Sequence, residues 1–310
     1  MRKRMIFKLG MFSMMTAIML GGCKKDNTQE QIENEMRLLQ QYLVDNNITQ
    51  EPTASGLYYI PILEGTGMSP AHGTWIEIEY TGMLIDGTIF ATSDESTAEL
   101  HNIYVDDFLY GPLRIQLGNI PMKGLNEGIK LMKVGEIAKF IIPSNLGLGG
   151  SSSGAVPAYS TLIYTIELLE AFDDPEKYEQ EKIWEYLKEG EFENLDSTAS
   201  GIYYIQENEG TGPLFRNGDQ VSVYYTGQFM DGREFDSNTG EEALSFIIPS
   251  EYLIQGWNEG IKLMRDGEDG ILIIPYQLGY GEEGLLNEFG RVMIPPYMTL
   301  VYYMKTDMGS

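Results

Sequence analysis

Thr53-Ala54-Ser55-Gly56-Leu57-Tyr58-Tyr59-Ile60 is written again as Thr198-Ala199-Ser200-Gly201-Ile202-Tyr203-Tyr204-Ile205, 145 positions further along the chain. Glu64-Gly65-Thr66-Gly67, Tyr80-Thr81-Gly82 and Asp86-Gly87 return at the same displacement, as Glu209-Gly210-Thr211-Gly212, Tyr225-Thr226-Gly227 and Asp231-Gly232. A third phrase, Gly124-Leu125-Asn126-Glu127-Gly128-Ile129-Lys130-Leu131-Met132, matches Gly256-Trp257-Asn258-Glu259-Gly260-Ile261-Lys262-Leu263-Met264 at a displacement of only 132, so the first copy carries 13 extra residues before it. A unit of about 140 residues is the size of a domain, too long for a solenoid repeat, and each copy should own a core.

Working outward, the 310 residues leave room for these two domains and short connections. The formal charge is -25 and no Lys/Arg cluster follows the N-terminus, which argues against a nucleic-acid partner, since backbone binding rests on neutralised phosphates. The acidity is read as serving solubility. At the N-terminus, Arg2, Lys3, Arg4 and Lys8 precede an apolar run from Met11 to Leu20, the layout of a secretory signal and too short and interrupted for a spanning helix. The run closes on Leu20-Gly21-Gly22-Cys23, which resembles the bacterial lipoprotein box. That resemblance implies that Cys23, the only cysteine, becomes the lipid-bearing first residue of the mature chain. It implies contact with a bacterial membrane through that lipid and a place in the cell envelope, at the outer membrane, facing the periplasm or the cell surface.

Apolar residues at Ile32, Met36, Leu39 and Leu43 have helical spacing within Asn27 to Asp45. A second helix is delimited by Asp174 as N-cap, Pro175 at its first position and Gly190 as its stop, with Ile183, Trp184 and Leu187 on one side. Each copy thus has a helical preface, readable as a spacer, a dimerising arm or a helix packed on its own domain; amphipathicity alone does not name the partner. Inside the copies the period changes to two. Gln220 to Tyr225, Gly270 to Ile274 and Thr299 to Met304 read as strands, whereas Trp257, Ile261 and Met264 predict a short helix over the Asn258 to Met264 segment. The expected fold class is α+β, a curved antiparallel sheet with one short helix across its concave face. The boundaries expected are a signal peptide over 1–22, a lipid anchor and helical tether over 23–50, domain 1 over 51–172, a helical linker over 173–196 and domain 2 over 197–310.

The second copy reads Val223-Tyr224-Tyr225-Thr226-Gly227, then Asp231-Gly232-Arg233-Glu234-Phe235-Asp236-Ser237, Leu253-Ile254-Gln255-Gly256-Trp257, Leu278-Gly279-Tyr280-Gly281 and Ile294-Pro295-Pro296 ahead of Thr299-Leu300-Val301-Tyr302. In order and spacing these motifs resemble the FKBP-type peptidyl-prolyl isomerase family from about Ser200 to Lys305, and the first copy resembles it more loosely from about Ser55 to Ala171. The resemblance implies a half-barrel sheet wrapped on a short helix, with a substrate proline inserted between them. It places Trp257 at the pocket floor, Tyr225, Phe235 and Tyr302 as aromatic walls, and Leu244, Phe246, Leu253, Ile254 and Ile294 around them. It further implies that the Ile254 amide and the Tyr280 hydroxyl hold peptide carbonyls while Asp236 orients the amide. Asp236, Tyr280, Trp257 and Phe235 are the catalytic candidates and the remainder bind substrate.

The residue types suit that chemistry directly. Rotation about an X-Pro bond must cross a barrier of about 18 to 20 kcal/mol that amide resonance creates. An aromatic-lined site that excludes water, with donors placed for the twisted amide, lowers it without a covalent step. No nucleophile, metal or cofactor is required, and none is expected. Gly279-Tyr280-Gly281-Glu282-Glu283-Gly284 spells a dinucleotide-type pattern, but Glu282 and Glu283 would repel a pyrophosphate. Gly147 to Gly154 lacks the lysine of a phosphate loop.

The first copy keeps Tyr80, Phe90 and Tyr164 but has Ala91, Leu125 and Leu148 where the second has Asp236, Trp257 and Tyr280, and Val156-Pro157-Ala158 for Ile294-Pro295-Pro296. Its extra residues fall near Ala91 to Gly111 and include Tyr104, Phe108 and Tyr110. Domain 1 is therefore expected to bind or to support structure, with weak or no isomerase activity. In domain 2 the stretch Glu282 to Val292 is expected to lengthen the loop over the pocket. The leading expectation is an exported, lipid-anchored isomerase acting on proline-containing polypeptides and assisting protein folding, with oligomeric state left open. The alternative is a non-catalytic chaperone or scaffold lipoprotein that grips proline or apolar segments through the same grooves.

Overall fold

The computed structural model describes residues 27–106, 108–240 and 242–307. Cys23 and the signal-like segment lie outside the described residues. Domain 1 opens with helix α1 (Asn27–Asp45), followed by β1 (Tyr58–Leu63), β2 (Trp75–Leu84), β3 (Ile89–Thr92), α2 (Glu95–Leu100), β4 (Leu113–Gln116), α3 (Lys123–Ile129), β5 (Glu136–Ile142) and β6 (Leu162–Phe172). Helix α4 (Pro175–Glu189) then leads into β7 (Leu195–Ser197), β8 (Tyr203–Asn208), β9 (Gln220–Gln228), β10 (Glu234–Ser237), β11 (Leu244–Ile247), α5 (Gln255–Gly260), β12 (Asp269–Ile274), β13 (Leu285–Leu286), β14 (Val292–Ile294) and β15 (Leu300–Thr306). The first sheet runs β1-β5-β6-β2-β3 with β4 also on β2; the second runs β7-β8-β12-β15-β9-β10 with β11 also on β9. Every pairing is antiparallel, and the pockets arise where one long strand, β2 or β9, carries two short partners at its two ends.

Strand alternation divides each sheet between two helices. On β12, Leu272 and Ile274 join Trp257, Ile261 and Met264 of the short-helix segment, while Ile271 and Ile273 turn to the opposite face and meet Ile183 and Leu187 of α4. Domain 1 repeats the arrangement, with Leu39 and Leu43 of α1 on Tyr58, Ile141 and Ile163. Of the three readings open for the helical prefaces, the structure shows helices packed on their own domains. The buried stripes are narrower than expected. Met36 is 61% exposed, and Trp184, read as sharing a side with Ile183 and Leu187, is 58% exposed. Ile183 and Leu187 lie at i and i+4 on one face, so Trp184 is carried round to the helix flank, where its ring meets Tyr203 edge-on at 6.1 Å.

The α4 boundaries follow their caps. The Asp174 carboxylate accepts from the Lys177 amide, Pro175 opens the helix and the Gly190 amide closes on Tyr186. The repeated phrases also bond to each other. Thr53 and Ser55 donate to Glu127 in domain 1, and Ser200 donates to Glu259 in domain 2, so Thr-Ala-Ser-Gly and Asn-Glu-Gly form one clasp.

The domains meet through an ion-paired seam. Arg114 on β4 of domain 1 bonds Glu77 at 2.6 Å and Glu179 of α4 at 2.8 Å, with both the Arg114 and Glu179 side chains nearly sealed from solvent. Its guanidinium also reaches the carbonyls of Pro296 and Tyr297 in domain 2 at 3.4 and 3.3 Å. Burial alone would lower the Arg114 pKa, but Glu179 and Glu77 outweigh it and hold the guanidinium charged. Beside it, the rings of Trp75 and Tyr297 meet edge to face at 5.3 Å.

Candidate functional site

Glycine decides the frame of both pockets. A Cβ on Gly227 of β9 would lie 2.7 Å from the Phe235 ring and 2.9 Å from Tyr302; on Gly82 of β2 it would lie 2.9 Å from both Phe90 and Tyr164. Only a residue without a side chain lets these rings close over the strand. They close in the same way in both copies, Phe235 on Tyr302 at 5.6 Å and 90° and Phe90 on Tyr164 at 5.7 Å and 81°. The repeated Tyr-Thr-Gly phrase is therefore a packing requirement of the aromatic cage.

In domain 2 the frame opens into a cavity of about 400 Å³ lined by Tyr225, Asp236, Leu244, Leu253, Ile254, Trp257, Tyr280 and Tyr302, with Glu251 and Tyr252 at its edge. Trp257, on the first turn of α5, is buried and meets Tyr225 at 4.9 Å and Tyr302 at 5.1 Å, both edge to face. Asp236 comes from the edge strand β10, and its carboxylate accepts a 2.7 Å bond from the Tyr225 hydroxyl. The Ile254 amide, just ahead of α5, donates to no acceptor among the described residues, and Ile254 itself lines the cavity. Asn258 holds that edge, accepting from the Ser250 amide at 2.7 Å and donating to the Ser250 carbonyl at 2.8 Å.

Three expected residues stand one layer back. Phe235, Phe246 and Ile294 do not line the open volume; Phe235 backs Tyr302, Phe246 lies 6.1 Å from Trp257, and Ile294 is buried in the same core. The Glu282 to Val292 stretch also departs from expectation. It folds into its own hairpin, with Leu285 opposite Ile294 and Leu286 opposite Val292, and none of its residues lines the cavity. Glu251 and Tyr252 were missed because nothing in their local pattern marks them; Tyr252 is 90% exposed at the mouth.

Two phenols of the cavity, Tyr280 and Tyr302, are held neutral. Burial, and then the charge of Asp236, pushes Tyr280 up; burial also pushes Tyr302 up, aided by Tyr280 and Asp236. The cavity thus presents an aromatic floor and walls, the oriented Asp236 carboxylate and the protonated hydroxyls of Tyr280 and Tyr302.

Domain 1 has the cage without this polar set. Ala91 sits opposite Gly82 as Asp236 sits opposite Gly227, and Leu125 and Leu148 join the apolar cluster around Tyr80, Phe90 and Tyr164. Its insertion carries α2 and an aromatic knot, Tyr110 stacked on Tyr104 at 5.4 Å and against Phe108 at 4.8 Å.

A sheet with a helix on each face, an aromatic cage under a short helix, and the same plan twice define a tandem-domain α+β protein with one polar and one apolar pocket. The chain matches the model of the FKBP-type peptidyl-prolyl cis-trans isomerases over residues 67–169 and 212–306 and belongs to that family. An FKBP-type 22 kDa peptidyl-prolyl cis-trans isomerase of Escherichia coli (strain K12) is 39% identical over 120 residues, covering 38% of this chain and 54% of that one. The FKBP-type isomerase FkpA of Aeromonas hydrophila is 40% identical over 122 residues, 38% of this chain and 44% of the other. Peptidyl-prolyl cis-trans isomerase FKBP9 of Mus musculus is 27% identical over 218 residues, 70% of this chain and 32% of its own length. The chain therefore spans about half or less of the curated relatives it matches.

Proposed function

We propose that this protein is a peptidyl-prolyl cis-trans isomerase whose catalysis resides in domain 2, acting on proline-containing polypeptides in the cell envelope. One observation carries the reading: Asp236, fixed by the Tyr225 hydroxyl, stands at the mouth of a cavity floored by Trp257, whereas domain 1 has the same cage with Ala91 and Leu125 in those places. The proline ring enters among Trp257, Tyr225 and Tyr302, and the preceding amide lies against the cavity edge. There the Ile254 amide and the Tyr280 hydroxyl donate to peptide carbonyls, and the Asp236 charge favours the dipole of the twisted amide. The ground-state amide is planar and resonance-stabilised, so contacts that fit the twisted form act mainly on the barrier. No bond is made or broken.

Domain 1 is a non-catalytic partner that keeps an apolar cage and lacks the polar contacts. Export and anchoring rest on the Leu20-Gly21-Gly22-Cys23 box, with a lipid on Cys23 holding the chain at a bacterial membrane, the outer one. Among the described residues no helix is long and apolar enough to cross a membrane.

The test is catalysed cis/trans exchange of a proline peptide by the full chain. Asp236→Ala in a folded protein is expected to lower turnover by about tenfold or more while peptide binding changes less, the pattern of a contact made in the transition state. Full activity in that variant would remove Asp236 from the catalytic set, and no exchange above the uncatalysed rate by the folded wild-type chain would favour a proline-gripping chaperone instead. For the anchor, Cys23→Ser is expected to move the protein out of the membrane fraction, and mass spectrometry of the wild type should find acyl chains on Cys23.

A further inference from the structure

The insertion of domain 1 does more than lengthen a loop. Its last residues, 109–111, lie against the turn between β9 and β10 of domain 2, the hairpin that carries Phe235 and Asp236. Leu109 packs on the domain 2 core cluster that contains Phe229, Trp257 and Tyr302. The Tyr110 carbonyl accepts a 3.0 Å bond from the Arg233 guanidinium. Gly111 has φ +98°, and a Cβ there would fall 2.6 Å from Arg233 Cδ, so the two segments are in close contact at this point.

Arg233 gathers the turn around that contact. It bonds Asp231 at 2.8 Å, lies 5.2 Å over the Phe229 ring, and its carbonyl accepts from the Phe229 amide at 2.9 Å. Phe229, buried, meets Phe235 at 4.9 Å, and Phe235 backs Tyr302 of the cavity. Strand β10 needs such support. It is a four-residue edge strand paired only with β9, with an irregular register between Glu234 and Asp236. An edge strand with one neighbour and a bulge has few contacts fixing its side chains, and catalytic geometry is sensitive to displacements of about 1 Å.

We propose that domain 1 positions the active-site hairpin of domain 2: residues 109–111 seat the Phe229 to Arg233 turn, and Arg233 is a positioning residue for Phe235 and Asp236. The proposal rests on the isomerase reading of domain 2. It gives the 13 extra residues of copy 1 a task in copy 2, and it explains how a domain without the polar set serves the reaction.

The test uses the full chain with Arg233→Met, Arg233→Lys, Leu109→Ala and the Arg233→Met/Leu109→Ala double variant. Arg233→Met is expected to lower kcat for proline-peptide exchange about three- to tenfold with KM within about twofold, because Asp236 and Phe235 remain present but less well placed. Arg233→Lys should restore part of the loss, and the double variant should be no worse than the more affected single variant, since both remove one contact. Hydrogen exchange of amides 228–237 should accelerate in Leu109→Ala and Arg233→Met without change in α3 or β5. Wild-type kcat in both single variants, or losses that multiply in the double variant, would overturn the proposal. An inactive wild-type chain would remove the isomerase reading and the catalytic half of the proposal with it, and unchanged exchange at 228–237 would independently overturn the seating.

Discussion

Asp236, Trp257 and Tyr280 differ from Ala91, Leu125 and Leu148 in what they present to an amide, although the rings around them are superposable in kind: Tyr225, Phe235 and Tyr302 repeat Tyr80, Phe90 and Tyr164. Trp257 combines two tasks, floor of the cavity and buried member of the domain 2 core. Trp257→Ala is therefore expected to weaken peptide binding and turnover together and to cost about 3 to 5 kcal/mol in urea unfolding of domain 2. The buried phenols make a separate prediction. Tyr178, Tyr204 and Tyr302 are all raised above the ordinary value of 10.0, first by burial. Their unfolded forms ionise near 10 while the folded forms stay neutral, so this contribution to stability is complete below that pH and is lost as pH rises toward the folded values. Urea midpoints should be level from about pH 8 to about pH 9 and fall steeply beyond about pH 10.

The two long helices are held by a repeated glutamate. Glu35 of α1 is buried and accepts from the Ser144 amide and hydroxyl, both at 2.6 Å, and from the Thr161 hydroxyl at 2.8 Å. Its counterpart Glu179 of α4 accepts from the Thr299 amide at 3.0 Å and turns its other oxygen to Arg114. Both glutamates pin a helix to the turn that precedes the last long strand of their domain, which orients the helix before its apolar stripe is counted. Glu35→Ala would leave three buried donors without an acceptor and is expected to cost more than about 2 kcal/mol, with Glu35→Gln recovering part of it in the same urea titration. Ile183→Ala, which removes a buried contact of α4 with β8, β12 and β15, should cost about 2 to 4 kcal/mol and destabilise domain 2 selectively.

Duplication supplies an internal control for how the whole molecule is joined. Where Thr161 donates to Glu35, the Thr299 hydroxyl has no partner among the described residues, because Arg114 has drawn that oxygen of Glu179 toward domain 1. Docking thus replaces a bond within domain 2 by an ion pair between domains. Breaking a buried pair from one side usually costs about 3 to 5 kcal/mol, since it strands a charge. Here Arg114→Met is expected to cost less, because Glu179 can return to Thr299, and its main effect should be on the arrangement of the domains. Small-angle scattering should show a larger radius of gyration for the variant, and calorimetry should separate the transitions of the two domains further than in the wild type. An unchanged radius would mean that the aromatic contact of Trp75 with Tyr297 and the insertion suffice to hold the seam.

The duplicated phrases, the change of period from 3.6 to two and the capping residues around α4 were enough to give two α+β domains, each with a helix before it; that Tyr225, Asp236, Trp257, Tyr280 and Tyr302 share one cavity was implied only by the resemblance of their motifs to the isomerase family, and the structure brings them together. These are local or motif-borne features, and hydrophobic spacing states directly which face of an element is apolar. Spacing does not say what covers that face. It left the role of the helical prefaces open, assigned Trp184 to the buried side and put the Glu282 to Val292 stretch over the pocket, where the structure has a separate hairpin. The same holds for polar partners. Glu35 and Glu179 recur at matching places in the two helices, a signal present in the chain, yet that one bonds within its domain and the other binds Arg114 follows only from docking. An ion pair or a seated turn exists when two surfaces distant in sequence arrive at bonding distance, and that condition belongs to the packed domains rather than to either stretch of chain.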